Sequence, residues 1–173
     1  RRATTTTYPA AMTLSRRARF FRKRIGNFEV SDDVPIEERR ATMDKIDAIP
    51  RPRKVDYVDT HVGGIPAIVA TPTEVQPDRH ILYIHGGAYV LGSPKSHIAM
   101  CARLAKRAAA VVTVIDYRLA PEHVYPAAVD DCVAAYRAII ADVDPALVTI
   151  AGDSAGGGAT LATLGALKAA GDP

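Results

Sequence analysis

A hydroxyl that attacks a carbonyl needs a base to take its proton and hydrogen-bond donors for the oxyanion that forms. The stretch Val148-Thr149-Ile150-Ala151-Gly152-Asp153-Ser154-Ala155-Gly156-Gly157-Gly158 places a serine where such chemistry is done. An apolar, β-branched run precedes it, an Ala/Leu/Thr pattern of helical character follows it, and glycines flank it. Strand, sharp turn and helix are the context of the G-x-S-x-G nucleophile elbow. The serine must project its hydroxyl from a strained turn, and side chains at Gly152 and Gly156 would collide with the neighbouring strand and helix. Ser154 is therefore the candidate nucleophile, with Gly152, Asp153 and Gly156 building the elbow. The competing reading is a glycine-rich turn with an ordinary serine N-cap.

Donors for the oxyanion come from two places. The N–H of Ala155 opens the elbow helix, where unpaired amides point outward. Far upstream, His85-Gly86-Gly87-Ala88-Tyr89 follows a short apolar run. Gly86 and Gly87 can turn their N–H groups inward because no side chain restricts them. Gly86, Gly87 and Ala155 form the candidate oxyanion hole. Both glycine-rich turns follow strands, and in parallel sheets ligands sit at the strands' carboxyl ends.

The elements that must carry these turns follow from periodicity. Residues 1–14 have none. Residues 15–27 read as a helix ending near Gly26-Asn27. Ser31-Asp32-Asp33 before Pro35-Ile36-Glu37-Glu38 starts another, which runs to about Ile49 and stops at Pro50 and Pro52. Residues 1–52 thus form a helical cap or arm, and residues 53–173 the body. Alternation from Val55, a Gly63-Gly64 turn and a second run from Ile65 to Thr71 predict a hairpin. Strands over 80–84, 111–115 and from 148 alternate with helices over 96–109, 127–141 and after Ser154. That order predicts an α/β fold with a mostly parallel sheet.

Composition narrows the class. A chain of 173 residues can bury one real core. The net charge of +3 is mild. Its excess lies in Arg16, Arg17, Arg19, Arg22, Lys23 and Arg24, interleaved with Phe20, Phe21 and Ile25. The pattern suits an amphipathic helix docked on its own protein, and no nucleic-acid motif supports it. No apolar run is long enough to span a membrane. The chain does not open on an apolar core followed by a cleavage site, so the expected location is cytoplasmic. Cys101 and Cys132 read as buried, reduced thiols. No metal-ligand cluster is present, and no cofactor is implied.

His85-Gly86-Gly87-Ala88-Tyr89, Tyr117-Arg118-Leu119-Ala120-Pro121-Glu122-His123 with Pro126-Ala127-Ala128 and Asp130-Asp131, and Gly152-Asp153-Ser154-Ala155-Gly156-Gly157 together resemble the hormone-sensitive lipase family of α/β-hydrolases. The resemblance covers about residues 53–170, and the N-terminal helices look like that family's cap. It implies a carboxylesterase for short-acyl esters with Ser154 as nucleophile. Gly86, Gly87 and Ala155 would be the oxyanion hole and His85 the organiser of its loop. Arg118, Glu122 and Asp131 would be scaffold. Ala88 replaces the third glycine common in the family.

A second departure is larger. The family order is Ser, then Asp or Glu, then His. After Ser154 this chain has one acid, Asp172, and no histidine. His61 lies by the hairpin turn and His80 at a strand's far end. His85 belongs to the oxyanion loop, His97 to a helix start with a surface role, and His123 to a loop. The expectation is the N-terminal portion of the fold, with base and acid beyond residue 173. Its partners would be an ester substrate and the remaining half of the catalytic domain, in the same or a separate chain. The elbow strand's open apolar edge invites association, a homodimer included. Two alternatives stay open. One is a ligand-binding protein on the same scaffold, as in the plant gibberellin receptors that resemble this family. The other is hydrolysis of an amide or formamide.

Overall fold

The computed structural model describes residues 15, 16, 19, 34–45, 50–76 and 78–173. Two compact units are present, residues 1–34 and residues 35–173. In the first, Arg19 N–H donates to Ser15 O at 2.9 Å, one helical turn. The rest of the helix expected over 15–27, and most of its basic run, lies outside the described residues.

The second unit opens with α1, Ile36–Asp44, whose first turn carries Glu37 and Glu38 where the helix dipole favours acids. The expected run to Ile49 passes into residues 46–49, outside the described ones. The hairpin follows as β1, Val55–Val62, and β2, Ile65–Pro72, paired antiparallel from Val62↔Ile65 to Val55↔Pro72. Its two turn residues, Gly63 and Gly64, both have positive φ, 61° and 81°, which matches the turn to the strands' twist.

Three short strands form the parallel part: β3, His80–Ile84, β4, Val111–Ile115, and β5, Val148–Gly152. The sheet order is β1-β2-β4-β3-β5. β3 pairs in parallel with β4 and β5, and β2 joins β4 antiparallel. Helix α2, Pro94–Ala108, connects β3 to β4; α3, Ala127–Ile140, leads toward β5; α4, Ala155–Ala170, follows it. α2 begins two residues before the sequence expectation. Ser93 and Ser96 cap it reciprocally, and Pro94 fits a first-turn position.

Strand alternation sorts the core into two layers. Ile81, Tyr83, Val112 and Val114 face one side, where Ile98, Cys101, Ala102 and Ala105 of α2 cover them. Leu82, Ile84 and Ile115 face the other, against Cys132, Ala135 and Ile139 of α3 and Ala159 and Leu167 of α4. The two cysteines therefore lie on opposite faces of the sheet, both buried and free. Burial pushes the Cys132 thiol up to about 12. The architecture is a mixed, mostly parallel sheet with helices on both faces. Among the described residues no helix is long and apolar enough to cross a membrane.

Candidate active site

Only Asp153 and Ser154 separate the end of β5 from the start of α4. The reversal is so tight that Ser154 adopts φ 50° and ψ −121°, a region L-residues avoid. Strain of this kind costs on the order of 1–3 kcal/mol and persists only where packing over-determines it. Here the packing is backbone on backbone. A Cβ on Gly156 would lie 2.1 Å from the Ile84 carbonyl oxygen, and one on Gly152 2.5 Å from the Gly156 carbonyl. The elbow thus rests directly on the end of β3. Ser154 is exposed, and its hydroxyl has no hydrogen-bond partner among the described residues.

The loop after β3 turns beside it. Gly87, Ala88 and Tyr89 all have positive φ, 131°, 55° and 63°. The Gly87 carbonyl accepts from the N–H groups of Val90 and Leu91 at 3.0 and 2.8 Å. The N–H groups of Gly87, Ala88 and Ala155 meet no acceptor among the described residues. Gly86 differs from its sequence expectation as an oxyanion donor. Its N–H donates to Asp153 Oδ1 at 3.0 Å, so it is already committed.

Asp153 is the link between the two turns. Besides Gly86 it accepts from the Tyr83 hydroxyl at 3.0 Å, and His97 Nε2 lies 3.5 Å away. The fit is close: a Cβ on Gly86 would sit 2.3 Å from Asp153 Oδ2. Burial and the Asp153 charge both push the Tyr83 phenol up, which keeps it a neutral donor. His97 corrects a second expectation, that of a surface residue. Its side chain is only 12% exposed, because the first turn of α2 packs behind the loop.

His85 lies fully buried under that loop. Its ring stacks on Tyr117 at 4.3 Å between centroids, and Nδ1 donates to the Gly86 carbonyl at 2.9 Å. The Tyr117 hydroxyl donates to the His85 carbonyl at 2.7 Å. Burial lowers the His85 pKa to about 4, so the ring is neutral. With the proton on Nδ1, Nε2 carries a lone pair that finds no partner among the described residues. No hydrogen bond joins any of the five histidines to Ser154 among the described residues. His61 and His123 are exposed. His80 lies at the far end of β3, with Nε2 2.8 Å from Thr113 Oγ1.

The segment after β4 braces the site from outside. Asp131, 3% exposed, accepts from the Arg118 N–H at 2.8 Å and from its guanidinium at 2.7 Å. Glu122 takes both Arg40 terminal nitrogens at 2.7 and 2.8 Å, which pulls its carboxyl down to about 2. Sequence reasoning missed Arg40 and His97, and no local signal marks either one. A cleft of about 360 Å³ lined by Asp44, Asp59, His61, Ser93, Lys95 and Asp116 contains none of the elbow residues. Among the described residues no metal-sized cluster of His, Cys, Asp and Glu occurs.

Comparison with known proteins gives a consistent result. A family model described as "alpha/beta hydrolase fold" matches residues 81–173. An "Acetyl-hydrolase" of Streptomyces hygroscopicus is 50% identical over 99 residues, 57% of this chain and 33% of that protein. "Carboxylesterase NlhH" of Mycobacterium tuberculosis is 32% identical over 160 residues, 87% of this chain and 46% of that protein. The crystal structure of an esterase from the bacterial hormone-sensitive lipase family superposes with a TM-score of 0.89 at 34% identity. That match covers 94% of this chain and 55% of the other. The chain thus spans between a third and about half of the length of these relatives.

Proposed function

This chain belongs to the α/β-hydrolase family, in its hormone-sensitive lipase group, and we propose that it carries the nucleophile and oxyanion hole of a serine carboxylesterase. Ser154 attacks the acyl carbonyl of a short-acyl ester. The developing oxyanion takes hydrogen bonds from Gly87, Ala88 and Ala155. Each such donor is worth on the order of 3–4 kcal/mol in a transition state. Gly86 serves differently from our sequence reading: it ties the loop to Asp153. His85 organises the loop as a neutral ring. Collapse of the tetrahedral intermediate expels the alcohol and leaves an acyl-enzyme, which water hydrolyses to the carboxylate.

The observation that carries this reading is the strained, exposed Ser154 beside three N–H groups that meet no acceptor among the described residues. We assign the histidine base and its acid to the part of the catalytic domain that the relatives have in addition. That part would dock at the open edge of β5. Residues 1–52 belong to the reading as the cap and 53–173 as the body.

The test uses the full-length protein with a fluorophosphonate probe, peptide mapping, and short-acyl p-nitrophenyl esters and anilides. Label on Ser154 with ester turnover supports the proposal, and Ser154→Ala should lower kcat by about 10⁴-fold or more. Ligand binding without label would make the protein a binding module. Faster anilide than ester turnover would change the bond cleaved.

A further inference from the structure

Ala88 and Tyr89 hold φ of 55° and 63° in succession, each with a side chain. Residues with a Cβ adopt that region only at a steric cost, so two in succession draw on contacts outside the turn. The contacts that do so converge on one side chain of α1. Arg40 Nε donates to the Val90 carbonyl at 2.9 Å, at the end of the turn. One of its terminal nitrogens donates to the Ala120 carbonyl at 2.9 Å, and the Ala120 N–H in turn donates to the Tyr89 carbonyl at 2.9 Å. Both carboxylate oxygens of Glu122 hold the guanidinium in that orientation. One helical turn further, on the same face of α1, Asp44 accepts from the Ser93 hydroxyl that caps α2.

We propose that Arg40 is a positioning residue for the oxyanion hole, holding the strained turn in its donor geometry from the far side. The inference rests on the reading of Ser154 as nucleophile. Its physical route is short. The Gly87 carbonyl and the Ala88 N–H are two ends of one planar peptide, so orienting one orients the other. That carbonyl is held by the N–H groups of Val90 and Leu91. Val90 is held in turn by Arg40. Only a planar fork of several fixed donors can reach Val90, Ala120 and Glu122 together, and the point charge of a lysine cannot replace it.

The experiment compares full-length wild type, Arg40→Ala, Arg40→Lys and Glu122→Gln by kcat, KM, melting temperature and affinity for a boronic acid that forms the tetrahedral adduct. Both Arg40 variants should lose about 10- to 100-fold in kcat with KM changed less than about threefold. Boronate affinity should fall by the same factor, since only the transition-state contact is disturbed. Glu122→Gln replaces one of the two acceptor oxygens by an NH2 group that faces an Arg40 N–H, so its kcat should fall in the same direction as in Arg40→Ala and by a smaller factor. If Arg40→Ala does not fold, Arg40→Lys decides the matter. An Arg40→Lys enzyme with wild-type kcat and boronate affinity overturns the inference while the nucleophile reading stands. So does a loss that vanishes when rates are normalised to the folded fraction. A wild-type protein with no label on Ser154 and no ester turnover overturns both.

Discussion

The two glycine-rich turns at the site are built on opposite plans. The elbow is packed backbone on backbone: Gly152 and Gly156 press against each other and against the end of β3, and the nearest atoms at both glycines are backbone atoms. The loop after β3 is held by side chains brought from elsewhere, Asp153 from the elbow, Tyr117 from after β4 and Arg40 from α1. A turn of the first kind carries its instructions in a few adjacent letters. A turn of the second kind exists only once the rest of the domain has folded around it.

The sharpest way to break this contrast is at Gly156. Gly156→Ala adds one methyl 2.1 Å from a carbonyl oxygen that belongs to a strand, and neither side can yield. The expected loss is about 3 kcal/mol, at the upper end for overpacking, read as a shift in denaturation midpoint. A loss under about 1 kcal/mol would mean that the elbow relaxes and is not backbone-locked.

The loop can be probed by pH. An unfolded histidine takes up its proton near 6.5, whereas His85 in the fold does so only near 4. Between those values the unfolded state binds more protons, so stability should fall as pH drops from 6.5 toward 4. The loss is about 3 kcal/mol at most, and no more accrues below pH 4. Melting temperature against pH for wild type and His85→Gln measures it. A variant with an unchanged slope would place the titration elsewhere.

The smallest effect sharpens the contrast by control. Gly165 lies in the same helix as Gly156, but a Cβ there would meet nothing within 4 Å. Gly165→Ala should stabilise the protein by about 0.5–1 kcal/mol through helix propensity alone. Opposite signs at two glycines of one helix would show that contact, and not residue type, decides.

The same contrast explains what is legible in the sequence. The elbow, the hairpin turn at Gly63-Gly64 and the alternation of strands and helices are local patterns, and periodicity finds them. The sheet order is not local: nothing in the strands themselves says that β4 lies between β2 and β3. His97 was misplaced because its position in α2 says nothing about which helix face meets Asp153. The acceptor of the Gly86 N–H is not legible in its own motif because it is a carboxylate in another one. Arg40 was passed over because its partner Glu122 stands 82 residues away.

Asp153 and Gly86 interlock as a plug and its socket: the carboxylate fills the space that the missing side chain leaves, and takes the amide beside it. The two positions therefore form one structural unit. Even without the carboxylate at 153, a Cβ at 86 would lie 3.0 Å from the Asp153 carbonyl oxygen, and the amide at 86 would lose its acceptor. Two short motifs that look independent along the chain meet at one contact, so a change on either side is felt on the other.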